Sequence, residues 1–97
     1  MNVRILRLAS EELLEAVEYY EQEQSGLGEK LWREVDQHIE WIRLHPLIPR
    51  IRPGDYRRVN LKVFPYHIAY SAREDEVVIW AIAHSHKQPG YWRKRMS

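Results

Sequence analysis

Between residues 58 and 95 the sequence gathers side chains that can move protons and hold anions: Arg58, Lys62, His67, His84, His86, Lys87, Tyr91, Arg93 and Arg95. A histidine with its ordinary pKa of about 6.5 can serve as acid or base at neutral pH. Lysine and arginine can hold a phosphate, arginine with a two-pronged fork. A metal site is not expected. His84 and His86 share a strand face at a spacing of two, but the chain has no cysteine and no evident third ligand for zinc. No cofactor is expected either. Each of these residues also has a plain structural role open to it. His67 can be a solvated or hydrogen-bonded sheet residue, His84 and Tyr91 can tie the tail back over the sheet, and Arg93-Lys94-Arg95 can be a solvated end or a non-specific contact to nucleic acid.

These residues sit in a chain of 97 residues with formal net charge +1, 44% apolar and 11% aromatic. That length predicts one domain over residues 1–97, with a real but small core. Without cysteine there is no disulfide scaffold. The longest apolar run, Val77 to Ala83, is far short of the roughly 20 residues of a membrane helix. The first residues lack a long apolar signal region, so a cytoplasmic protein that avoids membranes is expected. The near-neutral total hides an asymmetry. Residues 1–42 carry 4 Lys/Arg against 10 Asp/Glu, a balance of −6, while residues 43–97 carry 11 against 4, a balance of +7. Such a division either solvates two acidic helices and a basic sheet or supports a strong local field.

Val3 to Leu8 reads as a short opening strand. Ser10 reads as the N-cap of a helix from about Glu11 to Gln24, with Leu13, Ala16, Val17 and Tyr20 on its buried stripe. Ser25-Gly26-Leu27-Gly28 breaks it. A second helix follows from about Leu27 to Leu44, with Leu27, Leu31, Val35, Ile39 and Ile42 on one face, and His45-Pro46 ends it. Trp32 and Trp41 flank that stripe on opposite sides. They are either covered by the sheet or part of a partner-binding surface.

Prolines 46, 49 and 53 with Gly54 make residues 47–55 a stiff loop. Val59, Leu61 and Val63 then alternate with Arg58, Asn60 and Lys62, predicting a strand with one apolar and one basic face. Tyr66, Ile68 and Tyr70 alternate in a further strand, and Val77 to Ala83 is apolar on both faces, as a central strand requires. The expected fold is α+β with order β-α-α-β-β-β: a helical hairpin on one face of a small, mainly antiparallel sheet. The opposite face should collect Arg58, Asn60, Lys62 and His67 as an open cationic surface.

Three stretches, taken in order, resemble the RelE/ParE toxin superfamily, the toxin halves of type II toxin–antitoxin modules. They are residues 9–28 (Ala-Ser-Glu-Glu-Leu-Leu-Glu-Ala-Val-Glu-Tyr-Tyr-Glu, then Ser-Gly-Leu-Gly); Arg57-Arg58 with Phe64-Pro65-Tyr66-His67-Ile68-Ala69-Tyr70; and His84-x-x-Lys87-x-Pro89-Gly90-Tyr91-Trp92-x-x-Arg95. The resemblance covers nearly the whole chain. It implies the same β-α-α-β-β-β order and an antitoxin that neutralises the toxin by direct binding, with oligomers formed through that complex.

The resemblance also implies one of two activities. RelE-like members cut mRNA on the ribosome, whereas ParE-like members block DNA gyrase without being enzymes. Metal-independent RNA cleavage needs a base for the 2′-hydroxyl, an acid for the departing oxygen and cations for the phosphate. The candidates are Lys62, His67, His86 and Tyr91 for catalysis, with Arg58, Lys62, Lys87 and Arg93 to bind phosphate or target. His67 stands where RelE-like nucleases usually carry arginine, which loses a permanent charge and a fork. His84-Ser85-His86-Lys87 resembles the ParE-like His-x-x-Arg signature, with lysine for arginine. The balance leans slightly to ParE-like inhibition; the alternatives are a RelE-like endonuclease and a non-toxic homologue that only binds a partner. Trp32 and Trp41 are the candidates for the antitoxin surface.

Overall fold

The computed structural model describes residues 1–96. Strand β1 (Asn2–Ile5) leads into helices α1 (Arg7–Glu23) and α2 (Leu27–Leu44), then strands β2 (Arg57–Asn60), β3 (Tyr66–Arg73) and β4 (Glu76–His84), and a 3-10 turn at Arg93–Met96. The sheet order is β1-β4-β3-β2. β1 runs parallel to β4, and the other neighbours are antiparallel. This is the expected α+β arrangement, with the doubly apolar β4 in the interior of the sheet.

The helices start and stop for identifiable reasons. β1 ends at Ile5, three residues short of the expected strand: Leu6 makes a last bond to β4, its N–H on Ile79 O (3.2 Å), and the chain turns at once into α1. Ser10 is therefore not the cap. Leu6 occupies that position without a side-chain bond, and Ser10 lies in the first turns, its N–H on Leu6 O at 3.0 Å. Burial of Ala9 and Leu13 against the sheet outweighs the capping preference. The hairpin between helices is fixed by Glu21, whose carboxylate accepts from Gly26 N (2.9 Å) and Gly28 N (3.0 Å), orphan donors at the start of α2. Gly28 is obligatory by space: a Cβ there would stand 2.5 Å from Val17 O.

One face of the sheet meets the helices. Ile68, Tyr70, Val77, Ile79 and Ile82 pack against Leu13, Ala16, Leu31, Val35 and Ile42, closed at one end by Leu61 and Phe64. The other face departs from expectation. Ala69, Val78, Trp80, Ala81 and Ala83 are covered by Trp92, with Tyr56, Tyr91 and Met96 around it. A register shift between Ala69 and Tyr70 leaves Trp80 as the extra residue opposite β3, so Trp80 and Ala81 both lie on this outer side. Trp80 Nε1–H donates to Ser71 Oγ (2.8 Å), and Ser71 donates to Asp55 O (2.9 Å). The centre of the face expected to be open and cationic is thus an aromatic second core, and basic side chains are left only at its margin.

Candidate functional site

β1 is shorter than β4, so past Ile79 the outer edge of β4 would carry unpaired backbone groups, a template for another strand. The tail fills it. Glu12, reaching from α1, accepts from Ile82 N (3.1 Å), from the Tyr91 hydroxyl, and from both Nη1 and Nη2 of Arg95 (3.0 Å each). Arg95 Nη1 also donates to Trp80 O at 3.0 Å. The pair is largely buried, with side chains 17% and 14% exposed for Glu12 and Arg95. Lys87 and Arg95 both stand over the Tyr91 ring, at 5.0 and 5.4 Å from its centroid. Burial, then the bond to the Glu12 carboxylate, pushes the Tyr91 phenol far above its ordinary pKa. Tyr91 is a strut here, not a poised acid.

Of the other catalytic candidates, His67 and Lys62 lie apart from Tyr91, and His86 joins its pocket only through His84. His67 is on β3, opposite Asn60 and Ala83. Burial lowers its pKa to about 4, and the charges of Arg58 and Arg52 push the same way, so the ring is neutral at pH 7 with its Nδ1 buried and unpartnered. His86 follows the end of β4, its ring 4.9 Å from that of His84, which packs at 5.0 Å on Tyr66. Tyr66 belongs to the helix-covered side. Lys62 is outside β2 altogether, in the β2–β3 turn. That turn is clamped by Glu34, whose carboxylate accepts from Lys62 N (2.7 Å), Val63 N (3.1 Å) and Phe64 N (3.4 Å).

Of the phosphate or target candidates, Lys87 joins Tyr91, while Arg58 and Arg93 are engaged elsewhere. The Arg58 guanidinium lies along the β2 edge and holds Asn60 Oδ1 at 2.9 and 3.2 Å. Lys87 is on Tyr91, and Arg93 is over Tyr56 (5.5 Å) with Nη2 on Pro53 O at 3.2 Å. The structure brings together two sets: His84, Lys87 and Tyr91 line one hollow with Glu12 and Tyr66, and Trp41 and Lys62 meet at another. With Gln37, His38, Val59 and Asn60 this second pair lines an open groove of about 480 Å³ between α2 and β2. Trp41 is 38% and Trp32 47% exposed, so neither is covered by the sheet, and Trp32 lies outside that groove. The edge of β2 is open beside it. Leu61 N bonds Tyr66 O, so by antiparallel alternation Arg58 and Asn60 turn their N–H and C=O groups outward.

Reading the residues singly missed Glu12, Glu21 and Glu34, three helix carboxylates that reach backbone donors in other parts of the chain. Their sequence signal is slight. Each stands among other acidic residues that face water, and nothing local marks the amide it will reach.

Residues 3–89 match the family described as ParE toxin of type II toxin-antitoxin system, parDE. The chain belongs to the ParE toxin family. A solved structure titled as the chromosomal ParDE toxin–antitoxin system from P. aeruginosa has the same fold, with a TM-score of 0.63 at 20% identity over 87% of this chain and 95% of that one. No curated protein sequence matches. Among the described residues of this ParE-family chain, no helix is long and apolar enough to cross a membrane, and no group of three or more metal-ligating side chains lies together.

Proposed function

We propose that this ParE-family toxin arrests growth by binding DNA gyrase as a non-enzymatic inhibitor, and that a cognate antitoxin neutralises it directly. The observation that carries the reading is the family match over residues 3–89, and the state of the cleavage candidates agrees with it. The Tyr91 phenol is committed to Glu12, and His67 is neutral and half-buried. Lys62 belongs to the α2 groove, and His86 rests on His84. Acid, base and phosphate clamp need to converge within hydrogen-bond reach of one phosphodiester. His84 and Lys87 do meet Tyr91 in one hollow, but that phenol is held by Glu12, and His67 and Lys62 lie elsewhere. This favours binding over cleavage, and a gyrase target implies action in the cytoplasm.

The groove of Trp41, Val59 and Lys62 suits the antitoxin better than the covered sheet does. It offers an aromatic wall, an open strand edge and a cation from Lys62, with Arg58 held on the neighbouring Asn60. A short acidic segment would associate fast there, with salt-sensitive kinetics. The test is induction without antitoxin, followed by parallel readout of transcript ends and of the DNA-damage response, with gyrase capture on immobilised protein. Gyrase retention with a damage response and intact transcripts is the expected result. Ribosome-dependent cuts lost in His86→Ala or Lys62→Ala would replace the reading with mRNA cleavage, and normal growth of cells holding folded protein would leave only a binding homologue.

A further inference from the structure

The loop between α2 and β2 exposes large apolar side chains that the core does not use. Leu44, Leu47, Ile48 and Ile51 are 57, 65, 69 and 55% exposed. One such residue on a surface is ordinary, but four within eight positions on a chain this small are not. The loop is also held in place. Arg57 Nη1 donates to Leu47 O (3.1 Å) and Pro49 O (2.6 Å), and the Tyr70 hydroxyl donates to Pro46 O (2.7 Å). Ile48 N closes a turn on His45 O, and Arg52 N closes another on Tyr56 O at 2.7 Å. Prolines 46, 49 and 53 restrict the backbone between these ties. A loop with no task beyond joining α2 to β2 has no reason to hold large apolar side chains in water by so many tethers.

We infer that Leu44, Leu47, Ile48 and Ile51 form a preorganised knob that inserts into an apolar, acid-rimmed pocket of a folded target protein. This inference rests on the toxin reading above and names the surface through which that toxin reaches its target. Rigidity decides between partners. A short segment that folds onto the toxin gains most from a groove, such as the one at Trp41, whereas a fixed, exposed apolar loop is matched by a folded partner with a complementary apolar pocket. Rigidity lowers the ordering cost on binding and so favours shape-complementary insertion. Charge supplies the rim. From Trp41 to Gly54 there is no carboxylate, and Arg50 at the knob is exposed without an ion pair among the described residues. A membrane surface fits less well, because electrostatic attachment takes clusters of about four to eight basic residues. Here Arg43 is paired with Glu40, and Arg57 is spent on the loop carbonyls.

The experiment compares the full-length protein with the double variant Leu47→Ser, Ile48→Ser and, separately, with Arg50→Glu. Both sites are exposed, so the thermal midpoint and the affinity for antitoxin should stay as in the parent, which certifies the fold. The expected result is loss of growth arrest on induction at equal protein level, and at least tenfold weaker retention of purified gyrase by the double variant, with a smaller loss for Arg50→Glu. Growth arrest undiminished in the double variant overturns the knob. So does loss of parental binding to vesicles of anionic phospholipid while gyrase retention persists, since the loop would then be a membrane contact. If the parent itself fails to retain gyrase, the gyrase reading falls; growth arrest then judges the knob alone, its loss in the variant supporting a pocket on a different target and its persistence refuting the insertion.

Discussion

On one face of the sheet, Ile68, Val77 and Ile79 meet two long helices; on the other, Trp80, Ala81 and Ala83 meet Trp92 and a few residues of irregular tail. The first cover is periodic. Its apolar positions recur every three or four residues, and many small contacts share the burial. The second is concentrated in one large ring and one buried ion pair. A cover of the first kind tolerates the loss of any single member, because its neighbours still hold the helix in place. A cover of the second kind depends on Trp92 and on the Glu12–Arg95 lock together, and removing either uncovers apolar sheet and the free edge of β4.

The largest effect expected from this contrast is that of Trp92→Ala. Trp92 is buried among Ala69, Val78, Trp80 and Ala83, and truncation of a buried tryptophan costs about 3–5 kcal/mol. Leu31→Ala on the helical side, equally buried, should cost about 3 kcal/mol. The difference in kind matters more than the difference in size. Urea unfolding of Leu31→Ala should keep the parental denaturant slope, whereas Trp92→Ala should free the tail before the rest unfolds, giving separate transitions for tail amides and helix signal. Coincident transitions in both variants would show that the tail is as integral as the hairpin.

Glu12→Ala comes next. It strands the Arg95 guanidinium, the Tyr91 hydroxyl and the Ile82 amide at once, and breaking one partner of a largely buried pair costs about 3 kcal/mol. Amide exchange at Ile82 should accelerate with the loss, while exchange at Ile68 inside the sheet should follow only the global decrease. Arg95→Met should cost less, because Glu12 keeps Tyr91 and the Ile82 amide. Equal costs for the two variants would mean that the charge pair, not the Glu12 hub, holds the tail.

The same contrast explains how much was legible. Both helical stripes, the break at Gly26 and the interior position of β4 follow from spacing, because periodic burial repeats its signal over many residues. The helix start at Arg7, with Leu6 as its cap, did not, since packing of Ala9 overrode the better cap at Ser10. The outer face was misread for a physical reason. Alternation in β2 does turn Arg58 and Asn60 away from the helices, but β2 is an edge strand of four residues and cannot set the character of the face. The apolar outer side of β4 already demanded a cover, and Trp92 is the residue that answers it. Of the candidate site, Tyr91 and His67 were visible as types, but the bond of Tyr91 to Glu12 and the burial that keeps His67 neutral, with Arg58 and Arg52 adding to it, arise only after folding. Family membership, rather than an open basic sheet, is therefore what supports toxicity.

His67 offers the finest test of how closed the outer side is. Its pKa in the folded protein is about 4, against an ordinary value of about 6.5. The unfolded chain therefore takes up its proton first as pH falls, so the contribution to stability is present above about pH 6.5 and is lost on descent toward pH 4. Urea midpoints measured at pH 7 and pH 4.5 should fall more for the parent than for His67→Gln, and equal falls would refute the closed environment. Burial is the larger cause of the depression, with Arg58 and then Arg52 adding to it and Glu12 opposing it. Arg58→Gln should consequently raise the His67 titration midpoint in an NMR pH series only part of the way toward 6.5. A full return to the ordinary value would mean that the basic margin, and not the aromatic cover, governs this face.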